Sequence, residues 1–226
     1  MSWLGSKGGN GVWQRILSEM PKHDLYIEPF CGAAVIAKRK LPARETWLVD
    51  ADPAAPGLAM TQAEVFVGCA LHHLREWRCS MDWGTLVYCD PPYLRSVRGA
   101  HRYRVEFDTE DQHRELIGEL RSLQCFVMLS GYASFLYAEL LSDWRQVRIP
   151  TVNRAGKPVT ECLWMNFPAT VARHDVRFQG DTFRERERIK RKAERWHRKF
   201  LAMTAGERAA VLAKLSEVSS LNDPGV

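Results

Sequence analysis

The sequence predicts an α/β protein, with a mostly parallel open sheet and helices on both faces, followed by a helical appendage. Three observations predict it. Short apolar, β-favouring runs alternate with helical patterns over residues 11–129, the order of consecutive βαβ units. The second run, TWLVD (46–50), follows a small-residue turn and a helix and ends in an acid. That is the order of a mononucleotide-binding unit. After Pro168 the runs give way to long, charge-rich helical patterns.

Each element has its own reason. The stretch WLGSKGG (3–9) is glycine-rich and reads as a loop. A helix spans about Gly11 to Glu19 and stops before Pro21. Residues Leu25–Phe30 (LYIEPF) form the first strand. CGAAV then turns into a helix through Arg39, which Leu41-Pro42 ends. Thr46–Asp50 is the second strand. ADPAAPG breaks the chain, and a helix is expected over about Thr61–Arg75. Leu86–Cys89 is a buried strand ending at Asp90, and Arg95–Val105 is an arginine-rich loop. Thr109-Glu110-Asp111-Gln112 has the form of a capping box and opens a helix to about Leu123. Cys125–Leu129 is another buried strand, with Ser130-Gly131 turning out of it. Arg145–Val152 and Glu161–Phe167 are two late strands joined by an NRAGKP turn. One helix covers 183–203, with Thr182 and Glu185 placed as a capping box. Its apolar stripe is Ile189, Ala193, Trp196, Phe200 and Met203. Thr204 and Glu207 cap a last helix to about Val218.

With 226 residues, 46% of them hydrophobic, the chain has room for one sizeable domain (1–168) and an appendage (169–226). It shows no leading signal segment and no apolar run of membrane-spanning length, so a soluble, cytoplasmic protein without a membrane partner is expected. The six cysteines form no C-x-x-C pair and are scattered through apolar stretches, so neither a zinc site nor a disulfide framework is expected. The net charge is +5, yet residues 173–199 alone hold eleven Lys/Arg against five Asp/Glu. The rest of the chain is therefore within one charge of neutral. A clustered excess of this kind suits contact with a polyanion, although a solvated helical face has the same composition.

The most informative stretch is VYCDPPYLR (87–95). Proline donates no ladder hydrogen bond and pushes its predecessor out of helical geometry, so the strand must stop at Asp90. The outcome is a stiff strand exit carrying a carboxylate, free carbonyls and the ring of Tyr93. Ligands of open α/β sheets bind at such carboxyl ends. A proline turn with a solvated acid would look the same in isolation. Three more features belong to the same sheet edge, namely Lys7 in the glycine-rich start, the CGAA turn after Phe30, and Asp50. A small-residue turn at a helix N-terminus allows close backbone approach, and an acid ending the second strand suits a ribose hydroxyl. A generic dinucleotide site is the competing reading. The turn lacks the full G-x-G-x-x-G pattern, which argues against nicotinamide and flavin cofactors.

EPFCGAA (28–34) with CDPPYL (89–94) resembles the Dam-like family of amino-group DNA methyltransferases. WLGSK resembles that family's opening motif, and TEDQHRELIGEL (109–120) and VMLSGYAS (127–134) resemble its later segments. The likeness covers residues 1–167 in consistent order. It implies a Rossmann-like sheet, S-adenosylmethionine as cofactor, no metal, and adenine N6 in double-stranded DNA as target. Trp3 and Lys7 would contact the cofactor, and Glu28, Pro29, Phe30, Cys31, Gly32 and Ala33 would wrap its methionine part. Asp50 would take the ribose hydroxyls. Asp90, with Pro91, Pro92 and Tyr93, would lie between cofactor and target base. Asp rather than Ser at the first position of the tip points to adenine over cytosine. The exocyclic amine is a poor nucleophile, because its lone pair is delocalised into the ring. Asp90 and the Pro91 carbonyl can accept its two hydrogens, while Tyr93 stacks on a base that must first be flipped out of the duplex.

The sequence also departs from the family. Ala34 stands where a second glycine is usual, and Ser6 where a glycine is common. Only 39 residues separate Asp50 from Asp90, the interval that usually holds the DNA-reading domain. Two segments are candidates to replace it. One is the loop with Arg95, Arg98, Arg102 and Arg104. The other is the basic helix with Arg184, Arg188, Arg191, Lys192 and Arg195, whose apolar stripe would pack on the body or pair with another copy as a homodimer. The overall expectation is a small adenine-specific DNA methyltransferase of phage or restriction-modification type. Transfer to RNA or to a protein glutamine, and an inactive nucleic-acid-binding module, are its rivals. His72 and His73 sit on an expected helix and read as surface or core residues, His101 and His113 lack partners at metal spacing, Ser130 has no evident triad, and Trp144 and Trp164 read as core aromatics.

Overall fold

The computed structural model describes residues 7, 11–97, 104–153 and 156–221. The chain divides into two compact units, residues 1–178 and 179–226. The first holds helices α1 (Val12–Glu19), α2 (Val35–Arg39), α3 (Ala70–Trp77), α4 (Glu110–Ser122) and α5 (Phe135–Leu140). Its strands are β1 (Leu25–Glu28), β2 (Glu45–Asp50), β3 (Glu64–Val67), β4 (Thr85–Cys89), β5 (Phe126–Tyr132), β6 (Arg145–Val152) and β7 (Pro158–Met165).

These strands form a seven-stranded sheet in the order β3-β2-β1-β4-β5-β7-β6. Strands β1 to β5 are mutually parallel, and β7 lies antiparallel between β5 and β6. The strand alternation assigns the two faces. On β4, Leu86 and Tyr88 join one core with Ile16 and Leu17 of α1 and Ile36 of α2. Val87 and Cys89 join the other, with Leu71 and Leu74 of α3 and Leu116 and Leu120 of α4. This is the expected Rossmann-like α/β class with helices on both faces. The chain leaves β1 in one direction towards β2 and returns on its other side as β4. The carboxyl ends of β1 and β4 therefore flank the switch point, where such sheets take ligands.

Several expected elements are revised. Residues 61–75 are not one helix, because Glu64–Val67 is strand β3, paired with Trp47–Asp50, and α3 begins only at Ala70. Val65, Phe66 and Val67 are β-favouring, and Gly68 ends their run. The strand expected to end at Leu129 continues through Ser130 and Gly131 to Tyr132, because β7 offers those residues a ladder partner. Residues 169–178, assigned from sequence to the appendage, belong to the first unit. Pro21 bridges Arg173, the Lys22 amide donates to the Ala172 carbonyl (2.8 Å), and Arg173 pairs with buried Glu19 (3.2 Å). The second unit contains α6 (Phe183–Leu201) and α7 (Ala205–Leu221). Thr182 and Thr204 cap them as read, each hydroxyl accepting from the amide three residues on. No side chain of α6 is buried, and Trp196 of the apolar stripe is exposed. No described helix is long and apolar enough to cross a membrane.

Candidate active site

The carboxyl edge at the switch point opens into a cleft of about 530 Å³. Its floor is the turn after β1. Glu28, Phe30, Cys31, Gly32 and Ala33 all line it, whereas Pro29 is buried behind. The turn is tight. Gly32 has φ 48°, and Ala34 itself is left-handed at φ 49°. A glycine would hold that conformation without strain, so the alanine at this position is tolerated at about 1–2 kcal/mol. Gly57 presses on the turn from behind. Its amide donates to the Gly32 carbonyl at 2.7 Å, and a Cβ there would stand 2.8 Å from Cys31 Sγ.

Asp50, at the end of β2, is tied to this turn. It accepts from the Gly32 amide (2.7 Å) and the Asp52 amide (2.9 Å). Burial pushes its carboxyl upward, against the pull of those two bonds. A carboxylate has about four acceptor sites, so Asp50 keeps capacity towards the cleft that it lines. Glu28 is fully enclosed. Burial raises it to about 8, although the Tyr26 hydroxyl donates to it at 2.8 Å. Burial likewise pushes the Cys31 thiol upward.

Beside the cleft stands the exit of β4. Asp90 lines the cleft and is fixed through one oxygen. Its Oδ1 accepts from Lys7 Nζ at 2.6 Å and from the Ser130 hydroxyl at 2.9 Å. Ser130 Oγ also lies 3.0 Å from the hydroxyl of buried Tyr88. Among the described residues, no donor reaches Oδ2. Lys7 is buried among acids, with Glu161 Oε1 at 3.2 Å and the Tyr93 hydroxyl at 2.6 Å. Burial alone would lower its pKa, but the Asp90 and Glu161 carboxylates prevail and hold the ammonium well above its ordinary range. The Tyr93 ring packs 4.4 Å from that of Tyr132. Pro91 is buried, and Pro92 lines the cleft. Phe107 closes the far wall, edge-on to Phe30 at 5.2 Å, and His113 Nε2 binds its carbonyl at 3.1 Å.

The structure thus gathers Lys7, the Glu28–Ala33 turn, Asp50 and the Asp90–Tyr93 tip at one edge. Trp3, Arg98 and Arg102 lie outside the described residues. Arg104, read as a DNA contact, lines the cleft, with Nε 3.2 Å from Asp52. Arg95 is exposed. In the second unit, Arg184, Arg188, Arg191, Lys192 and Arg195 share one face of α6, as their helical spacing requires. Sequence reasoning missed Glu161, Tyr132 and the part Ser130 plays. Only an acid opening the apolar run CLWM hinted at the first.

No family model matches the chain, and no curated protein matches it. Solved structures resemble it over about two thirds of its length. The N-methyltransferase NodS from Bradyrhizobium japonicum is 12% identical, with TM-score 0.48 over 69% of this chain and 93% of that one. An S-adenosylmethionine-dependent methyltransferase from Agrobacterium tumefaciens is 12% identical, with TM-score 0.44 over 68% and 58%. Precorrin 8W decarboxylase from Methanobacterium thermoautotrophicum is 14% identical, with TM-score 0.41 over 68% and 86%. At these values the chemistry of the site is read from its own residues.

Proposed function

We propose that the first unit is an S-adenosylmethionine-dependent methyltransferase acting on the exocyclic N6 of an adenine flipped out of double-stranded DNA. The observation that carries this reading is the state of Asp90. One carboxylate oxygen is locked by Lys7 and Ser130, the other meets no described donor, and the residue lines a nucleoside-sized cleft beside a rigid proline exit.

The cleft suits the cofactor. Asp50 offers acceptor sites for ribose hydroxyls, and Phe30, Leu71 and Phe107 offer apolar walls for a purine. Gly57, braced against the Gly32–Ala34 turn, holds that backbone towards the cleft for the methionine part. Bound there, S-adenosylmethionine supplies an electrophilic methyl group on a positively charged sulfur. The chain's own residues hold the acceptor. Asp90 Oδ2 and the Pro91 carbonyl accept the two amine hydrogens, which keeps the nitrogen lone pair off the ring. Tyr93 offers its face to the base, since its hydroxyl is already engaged. Orientation and fixed charge account for most of the expected rate gain. The basic face of α6 would follow phosphates, contributing affinity without reading sequence.

Incubating the protein with genomic DNA and methyl-labelled cofactor, with total RNA in a parallel reaction, tests this. Label mapped to N6 of adenine at a recurring DNA site is expected. Label confined to RNA or to cytosine would overturn the assigned substrate.

A further inference from the structure

Glu161 is a buried acid that the proposed reaction does not itself require. Strand β7 runs antiparallel to β5, so its early residues reach the same edge as Asp90. Glu161 falls opposite Tyr132, whose ring packs on Tyr93. Only 4% of its surface is exposed. Both of its oxygens lie within 3.1 Å of the Tyr93 hydroxyl, and Oε1 lies 3.2 Å from Lys7 Nζ. A carboxylate taken from water is costly unless paired, and its neighbours Cys162, Leu163 and Trp164 pack in the apolar core. Two carboxylates therefore flank a single ammonium, and the second also accepts from the Tyr93 hydroxyl.

We propose that Glu161 is a positioning residue for methyl transfer, anchoring Lys7 and Tyr93 so that Asp90 presents Oδ2 alone to the substrate amine. The inference rests on the methyltransferase reading above. Lysine is a point charge on a flexible stem, without the fork that fixes arginine. Held by Asp90 alone, it could bind either carboxylate oxygen. Glu161 draws it from a second side, and the Tyr93 hydroxyl accepts from it from a third. Tyr93 in turn donates to Glu161, which fixes its ring against Tyr132. Ser130, backed by Tyr88, completes the clamp on Oδ1. Glu161 thus sets the aim of the acceptor without touching the substrate.

The test uses full-length Glu161→Gln, Glu161→Leu, Tyr93→Phe and the Glu161→Gln/Tyr93→Phe double variant. Cofactor affinity is measured by titration calorimetry, and methyl transfer under single-turnover conditions as a function of DNA concentration. Glu161→Gln keeps an acceptor for Tyr93 but releases Lys7. It should lower the maximal rate about tenfold, and Glu161→Leu about a hundredfold, with cofactor Kd and half-saturating DNA within about threefold. The double variant should fall no further than its worse single variant. Wild-type rates in Glu161→Gln, or losses in the double variant that multiply, would overturn the inference. Should Glu161→Leu fail to fold, Glu161→Gln alone decides. Absence of transfer by the wild-type protein to any nucleic acid would strike at the methyltransferase reading instead.

Discussion

Lys7 and Asp90 are 83 positions apart in the chain, yet Lys7 Nζ lies 2.6 Å from Asp90 Oδ1. The contact joins the glycine-rich start of the chain to the double-proline exit of β4. It leaves Asp90 with one engaged and one available oxygen, and the proposed chemistry depends on that asymmetry.

Asp90→Ala should abolish methyl transfer, by about 10³-fold or more, because neither position nor charge then acts on the amine. The fold should survive, since Lys7 retains Glu161 as its counter-ion. Circular dichroism and a label-transfer assay on the same preparation check both halves. Activity retained by a folded Asp90→Ala protein would exclude the tip from the chemistry.

Gly57→Ala should destabilise the protein by about 1–3 kcal/mol, the range for overpacking. The added methyl would meet Cys31 Sγ at 2.8 Å, Ala34 Cβ at 2.9 Å and the Gly32 carbonyl at 2.9 Å. Relief comes by pushing the turn into the cleft, so cofactor affinity should fall as well. Gly118→Ala is the control. Nothing lies within 4 Å of its added carbon, and it sits inside α4. It should raise stability by about 0.5–1 kcal/mol. Equal melting temperatures for the two variants would contradict the packing described.

Stability should fall on acidification between about pH 6.5 and pH 3, partly through His23. Burial lowers its pKa to about 3; its Nδ1 binds the Pro21 carbonyl at 2.8 Å, and its ring stacks on His174 at 3.9 Å. His23 Nε2 is buried without a partner among the described residues, so charging it is unfavourable. Below pH 6.5 the unfolded chain binds a proton that the native protein refuses, so the stabilisation is complete above 6.5 and drains away towards 3. Urea midpoints across that window should fall less steeply for His23→Phe, which keeps the ring stack. Parallel curves for the two proteins would rule His23 out.

Neutralising Arg191, Lys192 and Arg195 together should weaken binding to duplex DNA and reduce the salt slope by about 2–3, as expected for three phosphate contacts. Their positions on one face of α6 permit contact along a single backbone. Fluorescence anisotropy at several salt concentrations reads both quantities. Unchanged affinity and slope would mean that this face is only solvated.

Arg104 supplies a contrast. Its Nε stands 3.2 Å from Asp52 at the cleft. Arg104→Ala should therefore weaken cofactor binding severalfold while leaving affinity for duplex DNA unchanged. The reverse result in paired titrations would return this residue to the DNA surface.

What the sequence determined by itself is local. Pro91 and Pro92 end β4 because a ring without an N–H cannot continue a ladder. The threonines at 109, 182 and 204 begin helices because their hydroxyls satisfy free amides. Alternating apolar residues on β4 divide between two faces whatever covers them. These signals depend on neighbours within a few positions, so they placed the glycine turn, Asp50 and the Asp90 tip at one edge.

The tertiary structure decided what depends on distant partners. Residues 64–67 became a strand because β2 offers them a ladder, and β5 runs on to Tyr132 because β7 does. Arg104 stands 3.2 Å from Asp52, 52 positions away in the chain. Above all, Glu161 reaches Lys7 and Tyr93 only because an antiparallel strand is threaded between β5 and β6. No periodicity along the chain encodes that meeting. Register between strands is settled by how whole faces pack, and packing is a property of the assembled sheet.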